Sequence, residues 1–471
     1  MINDPLSHLP QVAEWCQEYF NNVRQYPVFR NPQPGEIKRS VSNSIPVSGS
    51  DFESIFNEFK SHIVPGLTHW QHPDFFAYFP ASRSRVSFLA EMLESAVGQQ
   101  CMSWFSSPAS SELEELTCDW IIQQLQLPKN FKGVLQDSGS TSNLVAVLAA
   151  REWKTSFQTN ESGLFGHRVL RIYASSEIHS SIDKAVRIAG LGIQNLVKIP
   201  CLADYSMNLE ALEDALQRDV EKGYEPCAII GAYGTTGTTA VDNIDRLVAI
   251  KKKFNCWLHI DGSFAGCALI LPEYREKIQH LQEIDSIVLN PHKWFFTNLD
   301  CSLFVTQHVS SLVHTFEISP SYLQTPQDSE VINYRDWGIN LARRFRSLKL
   351  WFVLKYYGFD GLRKLLRAHI EQAQWMKEQI ERSSDFELMA PVHFNLVCFR
   401  LHPEGVPAEE LNQLNKNYIE RLNASGRILL TQTMLDNKLC IRFVNGKEEH
   451  TLADVKRAWA TLQSFALTSI L

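Results

Sequence analysis

The sequence predicts an α/β protein built on a mostly parallel sheet that helices cover on both faces. After Pro128, short continuous apolar runs alternate with longer stretches of helical periodicity. Continuous apolar strands separated by helices are typical of parallel sheets, because both faces of each strand are buried. Six strands are predicted, at 133–136, 169–175, 227–233, 256–261, 286–290 and 301–306. In such sheets, ligands bind at the carboxyl ends of the strands.

The chain divides into three predicted regions. Residues 1–84 form a helical arm that prolines interrupt, and its segment "DFESIFNEFKSHIV" has helical spacing of apolar residues. Residues 85–355 hold the sheet and its helices. Residues 356–471 combine a long helix, the strands "FNLVCFRL" and "KLCIRFV", and a final helix for which Thr451 is the predicted N-cap. We therefore expect a large α/β domain, an N-terminal helical arm and a small α+β C-terminal domain.

Composition and charge exclude several classes of function. The 471 residues carry a net charge of -7 and are 44% hydrophobic, which is typical of soluble globular proteins. No dense Lys/Arg block is present, so nucleic acid is not expected as a partner. The apolar runs are too short to span a bilayer and the first residues lack a signal-peptide pattern, so no membrane partner is expected. The ten cysteines contain no C-x-x-C pair, which favours free thiols in a reducing cytoplasm and no metal site.

Polar side chains gather at the predicted carboxyl ends of the strands. Gly139, Ser140 and Thr141 stand where a strand meets a helix, and free N–H groups there favour a phosphate. An ordinary capped helix start is the alternative for this turn. His179 follows another strand and can equally be structural. Asp261 ends a strand, where it either caps the next helix or is a buried carboxylate that needs a positive partner.

Lys293 follows the apolar run "SIVL" within the stretch "NPHKW". Charged side chains rarely lie at the mouth of a buried strand unless they are paired or reactive. A phosphate cradle, a carboxylate and a lysine at strand ends together meet the needs of pyridoxal phosphate. Its aldehyde condenses with a lysine amine, its pyridine nitrogen needs a carboxylate, and its phosphate needs donors. We therefore predict pyridoxal phosphate as the cofactor.

Several longer motifs resemble the group II pyridoxal-phosphate-dependent amino-acid decarboxylases, most closely the aromatic-L-amino-acid decarboxylases. They are "HPDFFAYFP" (72–80), "SWFSSPASSELE" (103–114), "WLHIDGSFAGCALILPEYR" (257–275), "NPHKW" (290–294) and "RRFRSLKLWF" (343–352). The combination of "NPHKW" with the upstream "HID" is highly specific. The resemblance implies fold type I, the aspartate-aminotransferase-like architecture with a seven-stranded-type sheet. It also implies a homodimer whose active sites lie at the subunit interface.

The resemblance assigns roles to residues around the cofactor. It implies that Lys293 forms the internal aldimine, that Asp261 holds the pyridinium nitrogen and that His179 stacks on the ring. Burial among apolar and cationic neighbours is expected to lower the pKa of Lys293. The remaining cofactor contacts that we predict are Ser138, Gly139, Ser140 and His292 near the phosphate, with Thr236 and Ser263 elsewhere on the cofactor.

The resemblance also implies an acid for the final protonation. Loss of carbon dioxide leaves a quinonoid carbanion, which in this family is widely held to be protonated by a tyrosine on a mobile loop. The match in this chain is Tyr322, on a polar segment that contains Pro320 and Pro326. Members with phenylalanine at this position behave as aldehyde synthases, so tyrosine favours simple decarboxylation.

The predicted substrate is an aromatic L-amino acid, which the enzyme converts to an arylalkylamine and carbon dioxide. Tyr78, Phe79 and Pro80 supply aromatic and apolar walls, with core packing as their alternative role. Met102 and Ala342 are further pocket candidates, and both depart from the residues of dopa decarboxylases. The alternatives are decarboxylation of a non-aromatic amino acid such as histidine, aromatic aldehyde formation, and a non-catalytic relative that only binds pyridoxal phosphate.

Overall fold

A seven-stranded sheet forms the centre of the protein. The computed structural model describes residues 4–41, 45–81, 84–318 and 326–470. The strand order is β1-β7-β6-β5-β4-β2-β3, and only β7 runs antiparallel to its neighbours. The strands are β1 Lys132–Gln136, β2 Leu170–Ser175, β3 Leu196–Ile199, β4 Glu225–Ala232, β5 Trp257–Asp261, β6 Ser286–Leu289 and β7 Ser302–Thr306. The prediction of a mostly parallel sheet is confirmed, and all six predicted strands are present.

Helices cover both faces of this sheet. Within one strand, neighbouring residues enter opposite cores: Ile172 packs in the core on one face and Tyr173 in the core on the other. Both side chains are fully buried, as expected for a sheet with two covered faces. The helices of this region are α4 Arg85–Val97, α5 Pro108–Gln124, α6 Gly139–Lys154, α7 Gln158–Ser162, α8 Ser181–Ile188, α9 Leu209–Glu221, α10 Ile244–Phe254, α11 Pro272–Arg275, α12 Pro291–Trp294 and α13 Val309–Phe316.

The C-terminal region forms a second, four-stranded antiparallel sheet in the order β10-β11-β9-β8. A long helix leads into it, and Gly358 breaks that helix with φ 59° and ψ 171°, a backbone conformation that glycine adopts readily. The domain limits at 84 and 355 remain predictions. The elements are α14 Arg346–Arg382, β8 Phe386–Leu388, β9 Leu396–Leu401, α15 Leu411–Ala424, β10 Thr431–Leu435, β11 Lys438–Val444 and α16 Leu452–Ile470.

The N-terminal arm docks on the C-terminal sheet. Its helices are α1 Leu9–Asn22, α2 Glu36–Ser40 and α3 Phe52–Glu58. The N–H of Phe76 donates to the Leu429 carbonyl at 2.9 Å, and the N–H of Val444 donates to the Phe76 carbonyl at 3.0 Å. The buried amine of Lys447 donates to the His72 carbonyl at 2.7 Å. These bonds fix the segment that leads to Phe79.

The cysteines and the helices bear on two further predictions. All ten cysteines are free, and eight of them are buried, in agreement with the predicted free thiols. In the part of the chain that the structure describes, no helix has the length and apolar character needed to cross a membrane.

Candidate active site

A cavity of about 190 Å³ lies at the carboxyl ends of the strands. It is formed by the segments that follow β1, β2, β4, β5 and β6, where a parallel sheet places its ligands. A larger cavity of about 750 Å³, near Asp242 and His393, contains none of the predicted site residues. All nine predicted cofactor-binding residues line the smaller cavity: Ser138, Gly139, Ser140, His179, Thr236, Asp261, Ser263, His292 and Lys293.

Lys293 reaches the cavity from the short helix α12, directly after β6. Pro291 begins this helix, and the Lys293 N–H donates to the Asn290 carbonyl at 2.9 Å. Burial lowers the pKa of the Lys293 amine, while the Asp261 carboxylate acts in the opposite direction. The pKa of Lys293 is therefore lowered, as predicted, but the charged partner that acts on Lys293 is an anion and not the predicted cation. A lowered pKa increases the neutral fraction of the amine, which is its nucleophilic form.

Asp261 is the last residue of β5 and is almost fully buried. The Ser263 N–H donates to Oδ1 at 3.1 Å, and Asn143 Nδ2 donates to Oδ2 at 3.0 Å. Burial acts to raise the pKa of this carboxyl, but the bonds from Ser263 and Asn143 and the nearby His259 outweigh it and hold the pKa below its usual range. The site therefore keeps a negative charge facing the cavity.

His179 stands at the mouth of the cavity, between β2 and α8. The N–H of Ser181 donates to its Nδ1 at 3.1 Å, and the Ser181 hydroxyl lies 2.8 Å from the same atom. Nδ1 is therefore an acceptor, and the proton of the neutral ring is on Nε2. Desolvation lowers the pKa of His179, although part of the ring stays exposed. A neutral, oriented imidazole at this position can lie flat against a ring in the cavity.

The start of α6 forms the anion-binding end of the cavity. Ser138 is the N-cap, and its Oγ accepts from the Thr141 N–H at 3.2 Å. The helix is 16 residues long, and its first residues line the cavity, so the positive end of its dipole faces the cavity. A Cβ on Gly139 would come within 2.8 Å of Asn290 Nδ2 and 2.9 Å of Ser263 Oγ. Only glycine leaves this cradle open.

His292 contributes a further donor at the cavity wall. Its Nδ1 accepts the N–H of Cys301 at 2.9 Å, which leaves the proton of the neutral ring on Nε2. Burial, with the neighbouring Lys293 charge, lowers the pKa of His292 to about 3. The ring is therefore neutral near pH 7 and can donate one hydrogen bond without adding charge.

Comparison with known proteins identifies the family. The model of the pyridoxal-dependent decarboxylase conserved domain matches residues 34–402. The chain belongs to the pyridoxal-dependent decarboxylase family. It is 38% identical to tryptophan decarboxylase 2 of Oryza sativa subsp. japonica, over 97% of this chain and 93% of the relative. It is 35% identical to phenylacetaldehyde synthase of Arabidopsis thaliana, over 97% and 94% of the two chains. The crystal structure of Oryza sativa TDC with PLP and tryptamine superposes with a TM-score of 0.95 at 31% identity, over 99% and 98% of the two chains.

The predicted fold and cofactor of this decarboxylase are confirmed. The architecture is that of a fold type I pyridoxal-phosphate enzyme, and the chain is a pyridoxal-phosphate-dependent carboxy-lyase. The donor set of the cavity fits the cofactor. Lys293 supplies an amine for the aldehyde, Asp261 supplies a carboxylate for the ring nitrogen, and the open cradle at Gly139 matches the phosphate.

The decarboxylase cavity includes only one of the predicted substrate residues. Phe79 lines it and stacks on Phe264, with ring centroids 3.8 Å apart. Tyr78 is 53% exposed and stacks on Trp70 outside the cavity. Pro80 is buried and lies close to Gly446, where an added Cβ would be 3.0 Å from the proline Cγ. The backbone at Tyr78 has a φ of 56°, in the left-handed region.

Met102 and Ala342 do not line the cavity of their own chain. They lie on two adjacent surface segments, joined by the Cys101 N–H to the Arg343 carbonyl at 2.9 Å and by the Arg335 N–H to the Met102 carbonyl at 2.9 Å. Their contribution to a substrate pocket stays a prediction that needs a second subunit. Tyr322 and Pro320 lie outside the described residues.

Asn143, Asn290 and Arg442 are among the residues near the site that were not predicted. Asn143 binds Asp261, Asn290 lines the cavity, and Arg442 lies 5.2 Å from the centroid of the Phe79 ring. Arg442 also donates to the Gly237 carbonyl at 3.2 Å, next to Thr236. The position of Asn290 within "NPHKW" was a usable signal in the sequence. Nothing local marks Asn143 or Arg442, because their partners are distant in the chain.

Proposed function

We propose that this enzyme converts an aromatic L-amino acid into the corresponding arylalkylamine and carbon dioxide. The observation that carries the proposal is the presence of Lys293 and Asp261 in one cavity that an aromatic side chain, Phe79, also lines. The family match covers these residues, and the relative from Oryza sativa is named a tryptophan decarboxylase. An aromatic wall suits an aromatic substrate better than a charged or small one.

The residues around the cavity supply the requirements of this reaction. When bound, pyridoxal phosphate supplies a conjugated ring that accepts the electron pair released as the carboxylate leaves. The pKa of the Lys293 amine is lowered, which increases its neutral fraction, and the neutral amine is the form that can bind an aldehyde covalently. Asp261 keeps its negative charge and so favours a proton on the nearby ring nitrogen. The start of α6 and His292 would hold the phosphate of the bound cofactor, and would so keep its ring in place relative to Lys293.

Arg442 connects the two sides of the substrate pocket. Its guanidinium donates to the Gly237 carbonyl and, at 3.0 Å, to Thr431 Oγ1, and it lies beside the Phe79 ring. Its Nη2 is buried and has no hydrogen-bond partner among the described residues. In this arrangement Arg442 holds Phe79 and the Thr236 loop together, and the N–H groups of its Nη2 can bind a carboxylate.

We assign the protonation of the substrate carbon to Tyr322, as the family resemblance implies. A tyrosine that delivers this proton favours the amine product. The 35% identity to a phenylacetaldehyde synthase makes aldehyde formation the competing candidate, because the two outcomes share the same first steps. The products therefore decide between them.

We also propose that the enzyme is a cytoplasmic homodimer with shared active sites. Leu89, Leu93 and Val97 are each about half exposed and are spaced four residues apart on α4. The segments that carry Met102 and Ala342 add exposed apolar side chains, namely Phe105, Ile339 and Leu341. A second copy that covered this surface would bury these side chains. The ten free cysteines support a reducing compartment.

Product analysis tests the proposed reaction. The purified enzyme, loaded with pyridoxal phosphate, is incubated in air with L-tryptophan, L-tyrosine, L-phenylalanine, L-dopa, L-histidine or L-glutamate, and the products are identified by mass spectrometry. We expect arylalkylamines from one or more aromatic substrates, and no amine from a Lys293→Ala control. Aldehyde with peroxide as the main product would favour the synthase, and an amine from histidine or glutamate alone would contradict the aromatic assignment.

The assembly is tested separately by light scattering after gel filtration. We expect a mass of twice 53.8 kDa for the wild-type chain. Leu93→Asp should shift the mass towards the monomer, whereas Ile188→Asp, at an exposed apolar residue on the distant helix α8, should leave it unchanged. A monomeric wild-type protein that is fully active would contradict shared sites.

A further inference from the structure

A buried chain of hydrogen bonds runs from Trp257 to the two residues that face the cofactor ring. Trp257 Nε1 donates to Ser286 Oγ at 2.9 Å, and Ser286 Oγ lies 2.8 Å from His259 Nδ1. His259 Nε2 lies 2.9 Å from Asn143 Oδ1. Asn143 Nδ2 then donates to Asp261 Oδ2 at 3.0 Å and to Ser181 Oγ at 2.8 Å.

The acceptor end of this chain determines the direction of its bonds. The ionised carboxylate of Asp261 can only accept, so Asn143 Nδ2 donates to it and Asn143 Oδ1 accepts from His259 Nε2. The neutral ring of His259 therefore carries its proton on Nε2, and Ser286 gives its hydroxyl hydrogen to Nδ1 while it accepts from the Trp257 indole. A rotated Asn143 amide would place Oδ1 against this carboxylate and Nδ2 against the His259 N–H, so one orientation of the amide satisfies all partners. Ser181 then gives its hydrogen to His179 Nδ1.

Asn143 is the branch point of this network. Its side chain is 1% exposed, and its oxygen and both amide hydrogens are used. One branch fixes the oxygen of Asp261, and the other fixes the tautomer of His179 through Ser181. The two residues approach the cavity from β5 and from the β2–α8 connection, and the described residues show no direct bond between them. Asn143 therefore connects them across the interior of the sheet domain.

We propose that Asn143 is a positioning residue that holds Asp261 ionised and His179 in its Nε2-protonated form, and so sets the protonation of the bound cofactor. The proposal rests on the proposed function for the role of Asp261. A buried polar network in which every member is satisfied specifies one arrangement, and loss of its branch point leaves several groups unpaired at once.

The charged and titratable groups that face Asp261 decide the direction of the effect. They are His259 on its own strand, His179 before α8 and Lys293 on α12. Burial lowers the pKa of His259 to about 4, so this ring stays neutral and gives Asp261 no proton near pH 7. Asn143→Ala removes a donor to the carboxylate, so the pKa of Asp261 should rise and its charge should be lost at a higher pH than in the wild type.

The test uses cofactor binding and the visible absorption of the bound cofactor, independently of turnover. In Asn143→Ala we expect about tenfold to a hundredfold weaker binding of pyridoxal phosphate, as for the loss of a hydrogen bond to a charged group. The visible absorption of the bound cofactor is also recorded as a function of pH. We expect the midpoint of its change with pH to lie at a higher pH than in the wild type. Ser142→Ala is the matched control, because Ser142 is a buried neighbour on α6 whose hydroxyl bonds Ser302 at 2.8 Å. It should change neither quantity.

A second variant guards against simple misfolding. Asn143→Asp keeps the size of the side chain but replaces the amide donor with a carboxyl group, which, when it is ionised, places a second negative charge beside Asp261. It should raise the absorption midpoint further than Asn143→Ala does. An unchanged midpoint and affinity in both variants would overturn the proposal, as would equal losses in Ser142→Ala. A shifted midpoint in a protein that decarboxylates no aromatic amino acid would support the role of Asn143 and reject only the proposed substrate class.

Discussion

The ring of Phe79 stacks on the ring of Phe264, with centroids 3.8 Å apart and an interplanar angle of 16°. Phe264 in turn stacks on Trp294, the neighbour of Lys293, at 4.9 Å. Three parallel aromatic side chains therefore join the N-terminal arm, the loop after β5 and helix α12, which carries Lys293. This stack makes the arm part of the active site.

Replacement of Phe79 by alanine should weaken substrate binding. The variant loses the stacking contact and an aromatic wall of the cavity, so we expect KM for aromatic substrates to rise about tenfold. Phe79→Tyr keeps the stack and should remain near the wild type. Phe165→Ala is the control, because that side chain is 98% exposed. Steady-state kinetics check this expectation, and an unchanged KM in Phe79→Ala would exclude the stack from the pocket.

The pKa of Lys293 should depend on Asp261. Burial lowers the pKa of the amine and Asp261 raises it, so Asp261→Asn should lower the pKa of Lys293 further. The rate at which the apo protein captures pyridoxal phosphate should then reach its plateau at a lower pH than in the wild type. Stopped-flow absorption across pH measures this plateau. Asp261→Asn should also slow decarboxylation by at least about a hundredfold, because the ring nitrogen loses its partner.

The reverse pH shift would contradict this assignment. A plateau that moves to higher pH in Asp261→Asn would mean that the carboxylate does not act on the amine. Asp183→Asn is a suitable control, since Asp183 pairs with Lys198 on the surface. It should leave the capture profile unchanged.

Gly139→Ala should selectively weaken binding of the cofactor phosphate. Its Cβ would lie within 3 Å of Asn290 and Ser263 side-chain atoms, so the cradle must deform. We expect about tenfold weaker binding of pyridoxal phosphate, with a smaller change for pyridoxal, which lacks the phosphate. Gly49→Ala is the control, because nothing lies within 4 Å of that position. Fluorescence titration measures both affinities, and equal losses for the two ligands would place the phosphate elsewhere.

Tyr322→Phe should change the product. Without the hydroxyl, protonation of the substrate carbon slows, and oxygen can compete for it. We expect amine formation to fall about a hundredfold or more, with aldehyde and peroxide in its place. Tyr356→Phe, at a 70% exposed tyrosine of α14, serves as the control and should make amine normally. Undiminished amine output from Tyr322→Phe would remove Tyr322 from the acid role.

The sheet could be predicted because its strands are short apolar runs that helices separate. Strands that are buried on both faces consist mainly of apolar residues, so the pattern is visible in the order of residues alone. β3 was not predicted because it lies at the edge of the sheet, and its short sequence "LVKI" is buried only at its two end residues. Such a segment is too short and too mixed to indicate a strand.

The chemistry of the cofactor site follows from local motifs, whereas its connections follow from the fold. Asp261 is the last residue of a predicted strand, Lys293 and Gly139 each closely follow one, and parallel strands bring their carboxyl ends together. Asn143 looks like any asparagine near a helix start, because its partners lie on β5 and at the first residue of α8. Met102 and Ala342 stand at positions that the family resemblance indicates, although both differ from the residues of dopa decarboxylases, and neither lines the cavity of its own chain. Residue order determines which groups end each strand, but only tertiary packing determines which distant groups share hydrogen bonds, because those bonds depend on distances that separate elements set.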